Sequence, residues 1–173
     1  VDVLKKALRT VLELNPKFKS EVFGKEIKCE LEFDRNWGFG SSSTFVNNLA
    51  RWGDVDPFEL NQRLFEGSGY DIACANAGNP IVYRLQNGIP HWSEWQLHPV
   101  WHEVQFVFLN RKQSSRNEIA KFKNQSTISQ SQIERITELT GALKNAQTKE
   151  ALMQAVNEHE KIMENILQRP TVK

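Results

Sequence analysis

The chain has 173 residues, enough for one well-packed domain or for two small ones that share an interface. Its 39% hydrophobic and 25% charged residues are the composition of an ordinary folded globular protein and exclude wholesale disorder. Twenty-two Lys and Arg against twenty-one Asp and Glu leave a formal charge of +1, so the composition gives no electrostatic footprint for nucleic acid or an anionic bilayer.

Leu4, Leu8, Val11 and Leu12 recur at helical spacing with Lys5, Lys6 and Arg9 between them, which predicts an amphipathic opening helix stopping before Asn15-Pro16. Ile27 to Phe33 alternates apolar and polar residues with period two and predicts a half-buried strand. Asp34 to Ser43 holds two glycines and three serines. It leads into Phe45, Val46, Leu49 and Trp52, which share one helical face. Asp56-Pro57-Phe58-Glu59 supplies an N-cap, a first-turn proline and a glutamate at the third position, so a helix is expected from about Pro57 to Phe65, ended by Gly67-Ser68-Gly69.

Asp71 to Ala75 is small and helix-compatible, with Cys74 expected as a buried small hydrophobe. Ile81 to Leu85, His91 to Leu97 and Val104 to Leu109 then read as three strands of an antiparallel meander. That last stretch is the longest apolar run, far short of the roughly 20 residues of a membrane span. Ser115 to Glu118 and Ser129 to Gln132 are capping-box patterns, the second opening a helix with Ile133, Ile136, Leu139 or Thr140, and Leu143 inward. Thr148 caps a last helix whose Leu152, Val156, His159, Met163 and Ile166 form one stripe, closed by Pro170. Composition shifts near Asn110 from aromatic and strand-rich to polar and helical.

Cys29 and Cys74 have no second Cys or His at metal-ligand spacing, so a reducing, cytoplasmic setting fits best, and no signal leader is read at Val1. Trp92, Trp95 and Trp101 with His91, His98 and His102 read as core-packing strand residues. A stacking platform for bases would need Lys or Arg in the segment, and Pro99 breaks the His98–His102 helical pairing that zinc would use. Arg111, Lys112 and Arg116 beside Ser114 and Ser115 could contact a phosphate or form a solvated loop.

The segment Asn36 to Thr44 carries the strongest chemical signal. Glycines let a backbone approach a ligand closely, and the hydroxyls of Ser41, Ser42 and Ser43 fall where a helix exposes unpaired amides, a place that favours phosphate. No Gly-Lys-Ser or Gly-Lys-Thr occurs, and no third glycine follows Gly40 at dinucleotide-motif spacing. On the residues alone, a phosphate cradle and a serine-capped helix after a tight turn both remain open.

Gly38-Phe39-Gly40-Ser41-Ser42-Ser43 resembles the second motif of the GHMP kinases, the family of galacto-, homoserine, mevalonate and phosphomevalonate kinases. Gly69-Tyr70-Asp71-Ile72-Ala73 is similar to the catalytic-aspartate segment of a bacterial branch of that family. Phe106 to Arg116 loosely resembles the strand and basic loop that open its second domain.

The resemblance implies an α+β fold: a fragment with part of a ribosomal S5 domain 2-like nucleotide-binding domain over residues 1–103, and the start of a ferredoxin-like domain with a helical hairpin over 104–173. It implies an ATP- and Mg-dependent kinase of a small-molecule substrate, such as mevalonate or phosphomevalonate. Gly38, Gly40, Ser41, Ser42 and Ser43 would hold phosphates, Ser42 would ligate magnesium, and Asp71 would be catalytic. The family's metal-binding glutamate is not matched: Leu60, Asn61 and Gln62 stand around its position, with Glu59 one residue off and Glu66 nearer the glycines. The family's first and third motifs are also missing, which implies a central fragment, of low or no activity alone, that could pair as a homodimer through open strand edges. The competing expectation is a non-catalytic interaction protein, with the loop as a helix cap and the C-terminal hairpin as an oligomer interface.

Overall fold

A computed structural model describes residues 2–110, 122, 128–168 and 170. The chain is α+β: among the described residues, seven α-helices accompany one two-stranded antiparallel sheet. It divides into two compact units, Val1–Trp95 and Gln96–Lys173.

In the first unit, α1 (Asp2–Leu14) buries Ala7, Thr10 and Val11. Asn15 stops it: its side chain caps the 3-10 turn Pro16–Phe18 and donates to the Gly53 carbonyl at 2.8 Å. A short α2 (Lys19–Val22) follows. The helix α3 (Ser41–Gly53) turns Val46, Leu49 and Ala50 inward, and Gly53 has no Cβ because Val11 of α1 occupies that space. The helix α4 (Pro57–Phe65) has its predicted bounds, with the Asp56 carboxylate accepting the Glu59 amide at 2.7 Å.

Leu60 and Leu64 of α4 join Val11, Val46, Leu49 and Ile72 in the core, where full burial of each such side chain contributes about 1.5–3 kcal/mol. Phe18 meets Trp52 edge-on at 4.8 Å. The short α5 (Tyr70–Asn76) packs on α3, and the hairpin of β1 (Ile81–Gln86) and β2 (Ile89–Glu94) follows. Its register pairs Ile81 with Glu94 and Gln86 with Ile89. The two-residue turn is Asn87-Gly88, both at positive φ as such hairpins require. Phe58 stacks on Trp92 at 5.4 Å and ties α4 to β2.

In the second unit, His98 accepts the Val100 amide and opens the 3-10 turn Pro99–Glu103. Val100 packs with Ala146 and Leu152. The helix α6 (Gln130–Asn145) starts in a complete capping box between Ser129 and Gln132, and α7 (Lys149–Leu167) starts at Thr148, whose hydroxyl accepts the Ala151 amide at 3.2 Å. The pair forms the expected hairpin, with Leu139, Leu152, Ala155 and Ile166 buried and Arg135 bonding Glu158 across it at 2.6 Å. Of the expected inward positions, Ile133 and Val156 are exposed.

Two predicted strands are corrected. Residues 27–33 and Val104–Leu109 carry no strand: the described sheet consists of β1 and β2 alone, so neither segment has a ladder partner. Alternation and β-branching describe how well side chains fit a pleated surface, and they produce a strand only where a neighbour supplies that surface. Phe106 is 95% exposed. The capping pattern at residues 115–118 lies outside the described residues.

Candidate functional site: an uncapped helix start beside an aspartate-bearing helix

The Asp34 carboxylate accepts the Asn36 amide at 2.7 Å and opens the 3-10 turn Arg35–Trp37. Gly38 leaves that turn at φ 77, and Gly40 enters α3 at φ 73. A Cβ on Gly40 would be strained and would fall 2.9 Å from Ser43 Oγ, so glycine is required on both counts. Gly40 is itself the N-cap of α3, and no described side chain caps this helix.

The Gly40 carbonyl accepts the Ser43 hydroxyl at 2.8 Å and the Thr44 amide at 3.0 Å. Ser43 is 4% exposed and staples the turn, whereas Ser41 is half-buried and Ser42 exposed. A serine-capped helix, open as an alternative from the residues alone, is therefore not what forms: among the described residues the first-turn amides of α3 have no side-chain acceptor. Those amides, with the positive end of the helix dipole, are a donor set for an anion. Exposed aromatic rings flank the turn, Trp37 and Phe39 meeting at 5.7 Å.

Asp71 stands in the first turn of α5, half-buried, with Oδ1 accepting the Ile72 amide at 3.0 Å. The entry to α5 is held by Gly69, the N-cap at φ 80, and by the Tyr83 hydroxyl, which donates to the Ser68 carbonyl. Burial and, secondarily, the Asp71 carboxylate push the Tyr83 phenol up from its ordinary pKa. Partial desolvation of the sulfur and then Asp71 raise the Cys74 thiol, although the residue as a whole is exposed. Cys74 itself is exposed, a correction to its expected burial: the inward face of α5 is Ile72 and Ala73, and Cys74 lies off it.

The two sequence-predicted parts sit on packed neighbouring helices joined by a residue that pattern reading missed. Asn47, one turn beyond Ser43 and 8% exposed, donates to the Ile72 carbonyl at 3.2 Å and accepts the Asn76 amide at 2.5 Å. Its signal in the sequence is a polar residue on the inward face set by Val46 and Ala50. The link reaches the residue after Asp71, so the α3 start and the aspartate are carried by one hydrogen-bonded helix pair.

Of the carboxylates considered for a metal, Glu59 accepts the Arg63 guanidinium at 2.7 Å, and Glu66 is exposed with φ 53. Among the described residues no group of three or more His, Cys, Asp or Glu side chains is placed to hold a metal ion. Arg111, Lys112, Ser114, Ser115 and Arg116 lie outside the described residues. A cleft of 660 Å³ runs along α1 to Arg63 of α4 and includes neither the glycine-serine turn nor Asp71. No described helix is long and apolar enough to cross a membrane. No protein-family model, curated protein or solved structure matches the chain.

Proposed function

We propose that the chain is the nucleotide-handling part of an ATP-dependent small-molecule kinase of the GHMP type, a cytoplasmic phosphotransferase to an alcohol or phosphate acceptor. Mevalonate and phosphomevalonate are the acceptors the resemblance implies. On this reading residues 1–103 are the later part of a ribosomal S5 domain 2-like domain, and residues 104–173 open a ferredoxin-like one. The observation that carries the reading is the start of α3: two left-handed glycines, no side-chain cap among the described residues, and an exposed Ser42 at its first turn.

The donor set fits phosphate. Backbone amides and serine hydroxyls donate, and a Cβ at Gly40 would fill the turn. Magnesium held with nucleotide phosphates asks for one or two protein ligands, and Ser42 offers an exposed hydroxyl. When bound, MgATP supplies the transferable phosphoryl group and the cation that screens it. The chain's own part is positioning: amides of residues 40–43 orient phosphate oxygens, while Ser43 and Asn47 hold the turn and its neighbour helix fixed. Asp71 accepts or steers the proton of the acceptor hydroxyl, work that a carboxylate needs no large pKa shift to perform.

An equilibrium titration with magnesium and a non-hydrolysable ATP analogue tests the proposal. Saturable binding, weakened about tenfold by Ser42→Ala, is expected. Flat curves from a folded sample favour the competing reading, a non-catalytic interaction protein, for which the specific observation is the exposed apolar run Val104–Leu109.

A further inference from the structure

The cleft along α1 has a chemistry of its own. Asp2, the adjacent Lys5 and Lys6, Arg9 and Glu13 follow one another about a turn apart and form a stripe on α1, and Arg63, in the last turn of α4, closes the far side. Thr10, 6% exposed, belongs to the same lining. Its hydroxyl donates to the Lys6 carbonyl at 3.0 Å and keeps its oxygen lone pairs.

The charges are unevenly satisfied. Arg63 Nη2 bonds Glu59 at 2.7 Å, and its Nη1 lies 3.8 Å from Glu13, so one guanidinium engages both carboxylates. Lys5, Lys6 and Arg9 make no ion pair with any described residue. The like charges of Lys5 and Arg9, one turn apart, cost the helix a few tenths of a kcal/mol. Lys5, Lys6, Arg9 and Arg63 against Asp2 and Glu13 leave the lining of the cleft more positive than the whole chain, whose formal charge is only +1, and mark a local anion site.

We infer that this cleft binds a small multivalent anion of the pyrophosphate class through Lys5, Lys6 and Arg9, with the clamped Arg63 as its far wall. The concavity and the short stripe favour a compact anion over an extended one. Arg9 presents the planar fork suited to two phosphate oxygens, and the lysines act as point charges.

The test is a titration of the whole chain with sodium pyrophosphate at low ionic strength, without magnesium, followed by calorimetry and by amide shifts of α1. Saturable binding is expected, with Lys6→Gln/Arg9→Gln weakening it about tenfold. Arg84→Gln, which removes an exposed charge on β1, should change it less than about twofold. The inference is overturned by the absence of saturable binding in a chain folded by circular dichroism, or by an equal loss in Arg84→Gln. Loss with Ser42→Ala and none with the double variant also overturns it, and assigns the anion to the α3 turn instead.

Discussion

Replacing Gly69 with alanine perturbs fold and candidate site at the same point. Gly69 caps α5 at φ 80 and ψ 7, two residues before Asp71. An alanine there takes the left-handed conformation at about 1–2 kcal/mol. Its Cβ would fall 2.9 Å from Cδ1 and 3.3 Å from Cε1 of Phe58, and 3.5 Å from the Tyr83 hydroxyl oxygen. The first two distances are overpacking, worth about 1–3 kcal/mol, because Phe58 stacks on Trp92 and has a ring behind it. A stiffer unfolded chain returns about 0.4–1 kcal/mol, so the net loss is about 2–4 kcal/mol. In urea, followed by tryptophan fluorescence, that is a midpoint drop of about 1–2 M. Gly78→Ala is the control, since a Cβ there meets nothing within 4 Å. A Gly69→Ala midpoint equal to that of Gly78→Ala would refute the reasoning, because Phe58 would then not be packed against the cap.

Asn47→Ala leaves the Ile72 carbonyl and the Asn76 amide without their shared partner and should cost about 1–3 kcal/mol. Adding Asn76→Ala should cost much less than its own single loss, and strict additivity would contradict the bridge. In a Cys29→Ser background, the alkylation rate of Cys74 should reach half-maximum above the ordinary thiol range, because partial desolvation and then Asp71 disfavour the thiolate. Asp71→Asn removes the second cause and should lower that midpoint, whereas an unchanged or higher midpoint would place the carboxylate elsewhere. Thr148→Ala deletes the cap of α7 and should destabilise the hairpin by about 1 kcal/mol, read from helix signal in a urea titration.

Local rules made the helices legible. Asp56 with Pro57 fixed the start of α4 and the Gly67-Ser68-Gly69 run its end, and Ser129 with Gln132 fixed the start of α6, because a cap is satisfied within three or four residues of chain. The hairpin was half legible: β2 begins at Ile89, two residues before the expected His91, because a proline at position 90 opposes a strand assignment until its edge position is seen. The segments at 27–33 and 104–109 have strand-like side chains but no ladder partner among the described residues, and an absent partner leaves no trace in a local pattern.

At the site, the glycines and Asp71 were visible as chemistry. The division of labour among the serines was not, since Ser43 turns inward and Ser42 outward only by their phase on α3. Asn47 escaped notice because a single inward polar residue looks like an interruption of the apolar face until its two partners on α5 are seen.

The central claim is that the amides of residues 40–43 and the Asp71 carboxylate serve one ligand. Backbone amide shifts during a titration with magnesium and a non-hydrolysable ATP analogue test it directly. The account predicts that Ser41, Ser42 and Ser43 shift together with Asp71 and Ile72, along one saturation curve. Shifts confined to either helix, or none in a folded chain, would contradict it.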